Sequence, residues 1–141
     1  MSLRPSLLSL RITAAVQSIL MLAQVALAGG FLGGHFDMLA LHGTLGRVIT
    51  VVAVLMAVAA FFVRRSGGPT SILPASIVIV VALVGQIALG LARSVALHVV
   101  LGVVLACALA VLAQRVLTTP LPARTPAVPA RDEAVQPEPV K

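Results

Sequence analysis

Histidine occurs three times in the 141 residues, and two of the three stand in one frame. Residues 40–48 read ALHGTLGRV and residues 96–104 read ALHVVLGVV, sharing A-L-H-x-x-L-G-x-V. Upstream, AQVAL at 23–27 matches GQIAL at 85–89, so Gln24 pairs with Gln86 as His42 pairs with His98. Apolar letters coincide easily in an apolar chain, so the repeat rests on its histidines and glutamines. Imidazole ligates haem iron and several transition metals. Two imidazoles in repeated segments predict one shared metal site with His42 and His98 as ligands. Gly46 and Gly102 each follow their histidine by four residues, which is the same helical face one turn on. A side chain there would meet a flat macrocycle, whereas glycine lets the ring lie against the backbone. Small residues at such positions also let helices approach closely in lipid.

The other polar residues divide between this site and the membrane surface. Arg47 lies five residues after His42, about 140° around a helix. A charge inside an apolar run is expensive and marks function; Arg47 either reaches a haem propionate or snorkels to the headgroups. Arg93 offers the same two roles, propionate partner or interfacial anchor. Gln24 and Gln86 are expected to hydrogen-bond between helices, the alternative being a quinone or a ligand imidazole. His35 and Asp37 read as a loop, able to cap the following helix or join a surface metal site. The lone Cys107 lies in an apolar run and reads as a small core residue. No catalytic residue is predicted. The apolar runs hold no Asp or Glu, which excludes a carboxylate-bridged di-iron centre. There is no CxxCH, P-loop or HExxH.

The elements that must position these residues follow from composition. Apolar residues make up 60% of the chain and charged residues 10%, against about 25% charged in soluble domains. Lipid is the solvent that suits such a chain. Four continuous apolar runs, about 12–31, 39–63, 71–91 and 94–117, are each long enough to cross a bilayer core of about 30 Å as a helix. They do not alternate apolar and polar, which excludes barrel strands. The links between them, 33–37, 64–69 and 93–94, are short and rich in Gly, Pro and Arg. Short links make successive helices antiparallel, so the expected fold is all-α, an integral membrane up-down-up-down bundle of two repeated hairpins. His42 and His98 then open the second and fourth helices, diagonal to one another at roughly 11–14 Å and at equal depth. A haem would fit between them.

Most bases, among them Arg4, Arg11, Arg64, Arg65, Arg115, Arg124, Arg131 and Lys141, fall on one side of this topology. The positive-inside rule therefore puts both termini in the cytoplasm and the histidines near the outer face. The net charge of +6 is a topology signal. No Trp or Tyr accompanies it, and nucleic acid is not expected as a partner. Residues 118–141, rich in proline, read as a disordered tail.

At ALHGTLGRV and ALHVVLGVV the chain resembles one four-helix half of haem A synthase, over residues 12–117. It is also similar to small four-helix bacterial membrane proteins with paired LHxxxG motifs. In haem A synthase each half carries a histidine on its second and fourth helices, and the pair holds one haem; the matching positions are His42 and His98. The acidic and cysteine features of that family's outer loop are missing, so the resemblance implies haem ligation without synthase activity. The expectation is a small b-type cytochrome of the bacterial plasma membrane with one non-covalent haem b. It would exchange electrons with a quinone or a respiratory complex and self-associate in lipid. The alternatives are a structural or accessory membrane subunit without cofactor, and a small metal or haem transporter.

Overall fold

The structure, a computed structural model, describes residues 2–123. It contains four helices: α1 (Leu3–Leu32), α2 (Met38–Arg65), α3 (Ile72–Leu91) and α4 (Val95–Thr118). All four are long and apolar enough to cross a membrane, and they pack as a four-helix bundle. Each helix packs on its neighbours in sequence and α4 closes on α1, while the backbones of the diagonal pairs α1/α3 and α2/α4 stay apart. The chain is an integral membrane protein, and its exposed Leu22, Val78, Val81 and Val100 form the face that lipid covers.

Helix α1 starts at Leu3, nine residues before the apolar run suggests. Arg4 and Arg11 break the run of hydropathy without breaking the helix. Pro5 stands in the first turn, where a missing N–H costs nothing. The Arg11 guanidinium donates to the carbonyl of Thr119, the residue that caps α4. Carbonyls at a helix C-terminus lack intrahelical partners and attract cations, so Arg11 ties the two chain-terminal helices together. The tail expected from residue 118 begins after one more helical residue, and residues 124–141, with Arg124, Arg131 and Lys141, lie outside the described residues.

The three links use one stop signal. Helices α1, α2 and α3 each end in a pair of backbone bonds of the Schellman type. After α1, His35 N–H donates to Gly30 and Gly34 N–H to Phe31; after α2, Gly68 donates to Val63 and Gly67 to Arg64; after α3, Ser94 donates to Leu89 and Arg93 to Gly90. The motif needs a left-handed residue, and Gly34 and Gly67 supply it at φ 98° and 82°. In the third link that residue is Arg93, at φ 57°. Asp37 occupies the N-cap position of α2 but makes no side-chain cap bond. His35 and Asp37 are both exposed.

Packing is uneven along the bundle axis. At the end that carries the α2–α3 link, the start of α1 and the end of α4, here the terminal end, Leu7, Leu10, Val63 and Val116 are almost completely buried, and Met56 and Ile49 carry the core on to mid-bundle. Ala14, Ala53 and Ala60 let the backbones come close there. Toward the opposite, hairpin end, no residue from 18 to 48 or from 84 to 104 is buried. Cys107, expected in the core, is exposed, because Leu105 and Leu109 take the inward positions of that stretch.

A non-glycine residue in the left-handed region costs about 1 kcal/mol or more. Arg93→Gly is therefore expected to stabilise the folded chain by about 1 kcal/mol in denaturant titration followed by helical circular dichroism, whereas Gly67→Ala destabilises by a similar amount.

Candidate functional site: a histidine pair held by two glutamine clamps

The site is built from one unit used twice. In the first hairpin, Gln24 on α1 sends its Nε2 to the backbone carbonyl of His42 on α2, at 3.1 Å. In the second, Gln86 on α3 sends its Nε2 to the carbonyl of His98 on α4, at 2.7 Å. A helical carbonyl already faces the N–H four residues on, which here belongs to Gly46 or Gly102. The missing side chain at that position opens the carbonyl to a second donor. A Cβ on Gly46 would stand 3.3 Å from the Gln24 Nε2, and one on Gly102 would stand 3.0 Å from the Gln86 Nε2. Each glycine is thus a notch filled by a glutamine from the neighbouring helix. The sequence assigned this room to a macrocycle; in the structure the amides occupy it, because an amide that cannot reach water must find a carbonyl. The interhelical role expected of the two glutamines is the one they play.

The clamp grips the histidines' backbone, and each ring has a further contact within its own hairpin. The imidazoles turn toward each other: His42 and His98, 56 positions apart in sequence, meet with ring centroids 6.0 Å apart and planes inclined at 63°. The backbones of the diagonal helices stay apart, so the two rings span the gap between them. Two imidazoles on one metal ion need about this spacing, because a ligating nitrogen sits about 2 Å from the ion and roughly 1 Å from its own ring centre. Both residues are only partly buried and stand in the half of the bundle that lacks a tight core.

The surroundings of the two rings differ. His98 Nδ1 lies 3.0 Å from the backbone carbonyl of Gln86. Its ring also rests against Gly90, where a Cβ would come within 3.2 Å of Cε1. Gly90 follows Gln86 by four residues, so one face of α3 cradles this histidine; a lone glycine among many gave no hint of it. His42 Nε2 lies 3.1 Å from the Gln24 Nε2, and its Nδ1 is buried without a partner. The Oε1 atoms of Gln24 and Gln86 are likewise buried and unpartnered.

Arg47 and Arg93 are exposed, and neither hydrogen-bonds a histidine among the described residues. Arg47 lies about 7–8 Å along α2 from His42, on the lipid-facing surface. Sequence reasoning also passed over Gln17, which is 1% exposed and whose amide has no partner at either atom. Its signal is visible afterwards: it is a polar residue in an apolar run, two helical turns from Gln24 on the same face of α1.

Among the described residues no group of three or more His, Cys, Asp or Glu side chains is placed to hold a metal ion. Two lipid-facing grooves, of about 540 and 510 Å³, run between α3 and α4 past Cys107 and between α2 and α3 past Phe61. Neither is lined by a histidine. No protein-family model matches the sequence, and no curated protein or solved structure matches it.

Interhelical hydrogen bonds in membranes average about 0.6 kcal/mol. Gly102→Leu, which fills the notch, is expected to destabilise by about 1–2 kcal/mol in detergent unfolding. In a Gln86→Leu background that cost is expected to shrink by roughly 0.6 kcal/mol. An unchanged cost would show that the glycine and the glutamine act independently.

Proposed function

We propose that this chain is a small b-type cytochrome of the membrane, with His42 and His98 as the axial ligands of one haem. The supporting observation is the meeting of their rings at 6.0 Å across a diagonal that the helices do not bridge. The clamp accounts for the glutamines and the glycines. It does not account for the meeting of the two rings, since the Gln24 amide on the His42 ring and the Gln86 carbonyl on the His98 ring are contacts within each hairpin.

The donor count favours a macrocycle over a bare ion. A structural metal ion is normally held by four protein ligands, and two imidazoles fall short. Haem brings four nitrogens of its own and asks the protein for two. His98, with Nδ1 on a backbone carbonyl, has the arrangement usual for a metal-ligating histidine, in which the second ring nitrogen is held by a backbone acceptor. Room for the ring comes from the loosely packed hairpin half, now that the notches of Gly46 and Gly102 are taken by amides. Arg93 stands near His98 in sequence and keeps a side chain where glycine would suit the backbone better, which supports a use for its charge beside a propionate. Arg47 is the second candidate for that role.

With both axial positions filled, a haem supplies one-electron transfer, and a quinone or a respiratory complex in the same bilayer is the partner class. The positive-inside rule orients the chain. Arg4, Arg11, Arg64, Arg65 and Arg115 lie at the terminal end, which puts the termini in the cytoplasm and the histidines near the outer face of a bacterial plasma membrane. A second reading, an accessory membrane subunit without cofactor, is favoured by one observation: the glutamines fill the notches a porphyrin would use.

Purification in mild detergent after expression with ample haem separates the two. The cytochrome is expected to be red, with a sharp Soret band at one haem per chain that is lost in a His42→Ala/His98→Ala double variant. A colourless protein with intact helical circular dichroism would establish the accessory reading instead.

A further inference from the structure

The contacts around the two rings place their protons. The His42 carbonyl only accepts, so the Gln24 atom 3.1 Å from it is the amide NH2. That same nitrogen is 3.1 Å from His42 Nε2, where an NH2 can only donate. Nε2 of His42 therefore holds the lone pair, and the proton sits on the buried Nδ1. In the other hairpin, the Gln86 carbonyl 3.0 Å from His98 Nδ1 also only accepts, so this proton too is on Nδ1 and Nε2 is the bare nitrogen. Both rings reach the same tautomer by different means.

The two lone pairs are not in the same condition. His98 Nε2 has no hydrogen-bond donor among the described residues, whereas His42 Nε2 is engaged by Gln24. A metal centre approaching the pair competes with nothing at His98 and with an amide at His42.

We propose that Gln24 is a positioning residue that masks His42 Nε2, so that the site consists of one open ligand, His98, and one ligand held in reserve, His42. The identity of the captured group as haem rests on the reading above, while the mask itself rests only on the protein's own contacts. Capture then has an order. His98 binds first, and His42 completes the pair when the Gln24 amide withdraws from it. Gln86 has no equivalent role, because its side chain engages only the backbone of its histidine.

The test uses the full chain with ¹⁵N-labelled histidine in detergent at about pH 8, where a free imidazole is neutral. Each histidine is assigned by its single replacement, with the loop residue His35 as internal reference. Long-range ¹⁵N–¹H spectra are expected to show both His42 and His98 protonated on Nδ1. Gln24→Met, which keeps length but removes the donor, is expected to shift the His42 Nε2 resonance toward that of a non-bonded nitrogen. The His98 signals should stay in place, which also shows that the variant is folded. A wild-type His42 protonated on Nε2, or a His42 signal indifferent to Gln24→Met, overturns the mask.

Haem titration of the same samples reads the order. His42→Ala is expected to keep haem in a high-spin form, His98→Ala to weaken uptake by about tenfold or more, and Gln24→Met to raise the low-spin fraction above wild type. Equal loss of uptake in the two histidine variants overturns the order. A wild-type chain that takes up no haem but shows the expected tautomers loses the cytochrome reading and keeps the mask. One that takes up haem with His42 protonated on Nε2 does the reverse.

Discussion

In a bilayer a polar group that finds no partner inside the protein finds none at all, and the bundle is organised around that constraint. Gln24 and Gln86 enter the membrane with two hydrogen-bonding atoms each. Each amide NH2 finds the one kind of acceptor a neighbouring helix can offer, a backbone carbonyl laid open by glycine four residues on. The contact is worth little as energy. Its value lies in register: it aligns α1 with α2, and α3 with α4, at the same height in both hairpins, and everything at the hairpin end follows from that alignment.

Because both clamps grip the histidine backbone, both imidazoles leave their helices at the same level and turn toward the bundle axis. Neither ring could be placed so by its own helix alone, since α2 and α4 are diagonal and their backbones stay apart. The bundle also divides its labour along its length. Leucine, methionine and alanine close the terminal half, with Arg11 bonded to the end of α4. The hairpin half is left loose, with polar atoms on Gln24, Gln86 and His42 that are buried and unsatisfied. Buried groups without partners are rare in native proteins and call for a ligand, a water or an ion. Gln17, deeper and equally unsatisfied, has no physical account here.

Much of this was legible in the residues. Four runs of about 20 apolar residues can do little but cross a membrane, and short Gly-rich links can do little but fold them back. The repeat showed which glutamine answers which histidine, because polar residues are too few in these runs to coincide by accident. The start of α1 was not legible, because hydropathy reports what lipid tolerates and not where a helix begins, and Arg4 and Arg11 are helical without being apolar. Cys107 was misplaced for a related reason: a run that is apolar all round gives no periodicity to say which side faces in.

The glycines mark the boundary between the two kinds of knowledge. That Gly46 and Gly102 make room was implied by their spacing from the histidines, since residues four apart share a face of any helix. What enters the room depends on which neighbouring side chain arrives at that height, and an i, i+4 rule says nothing about a second helix. The difference between the rings has the same origin: two matching sequences took up unlike contacts, a side-chain amide on His42 and a backbone carbonyl on His98. Local spacing determined the helices, the repeat and the pairing of residues. Only packing across helices, where a few tenths of an ångström decide which donor reaches which acceptor, settled what those residues do to one another.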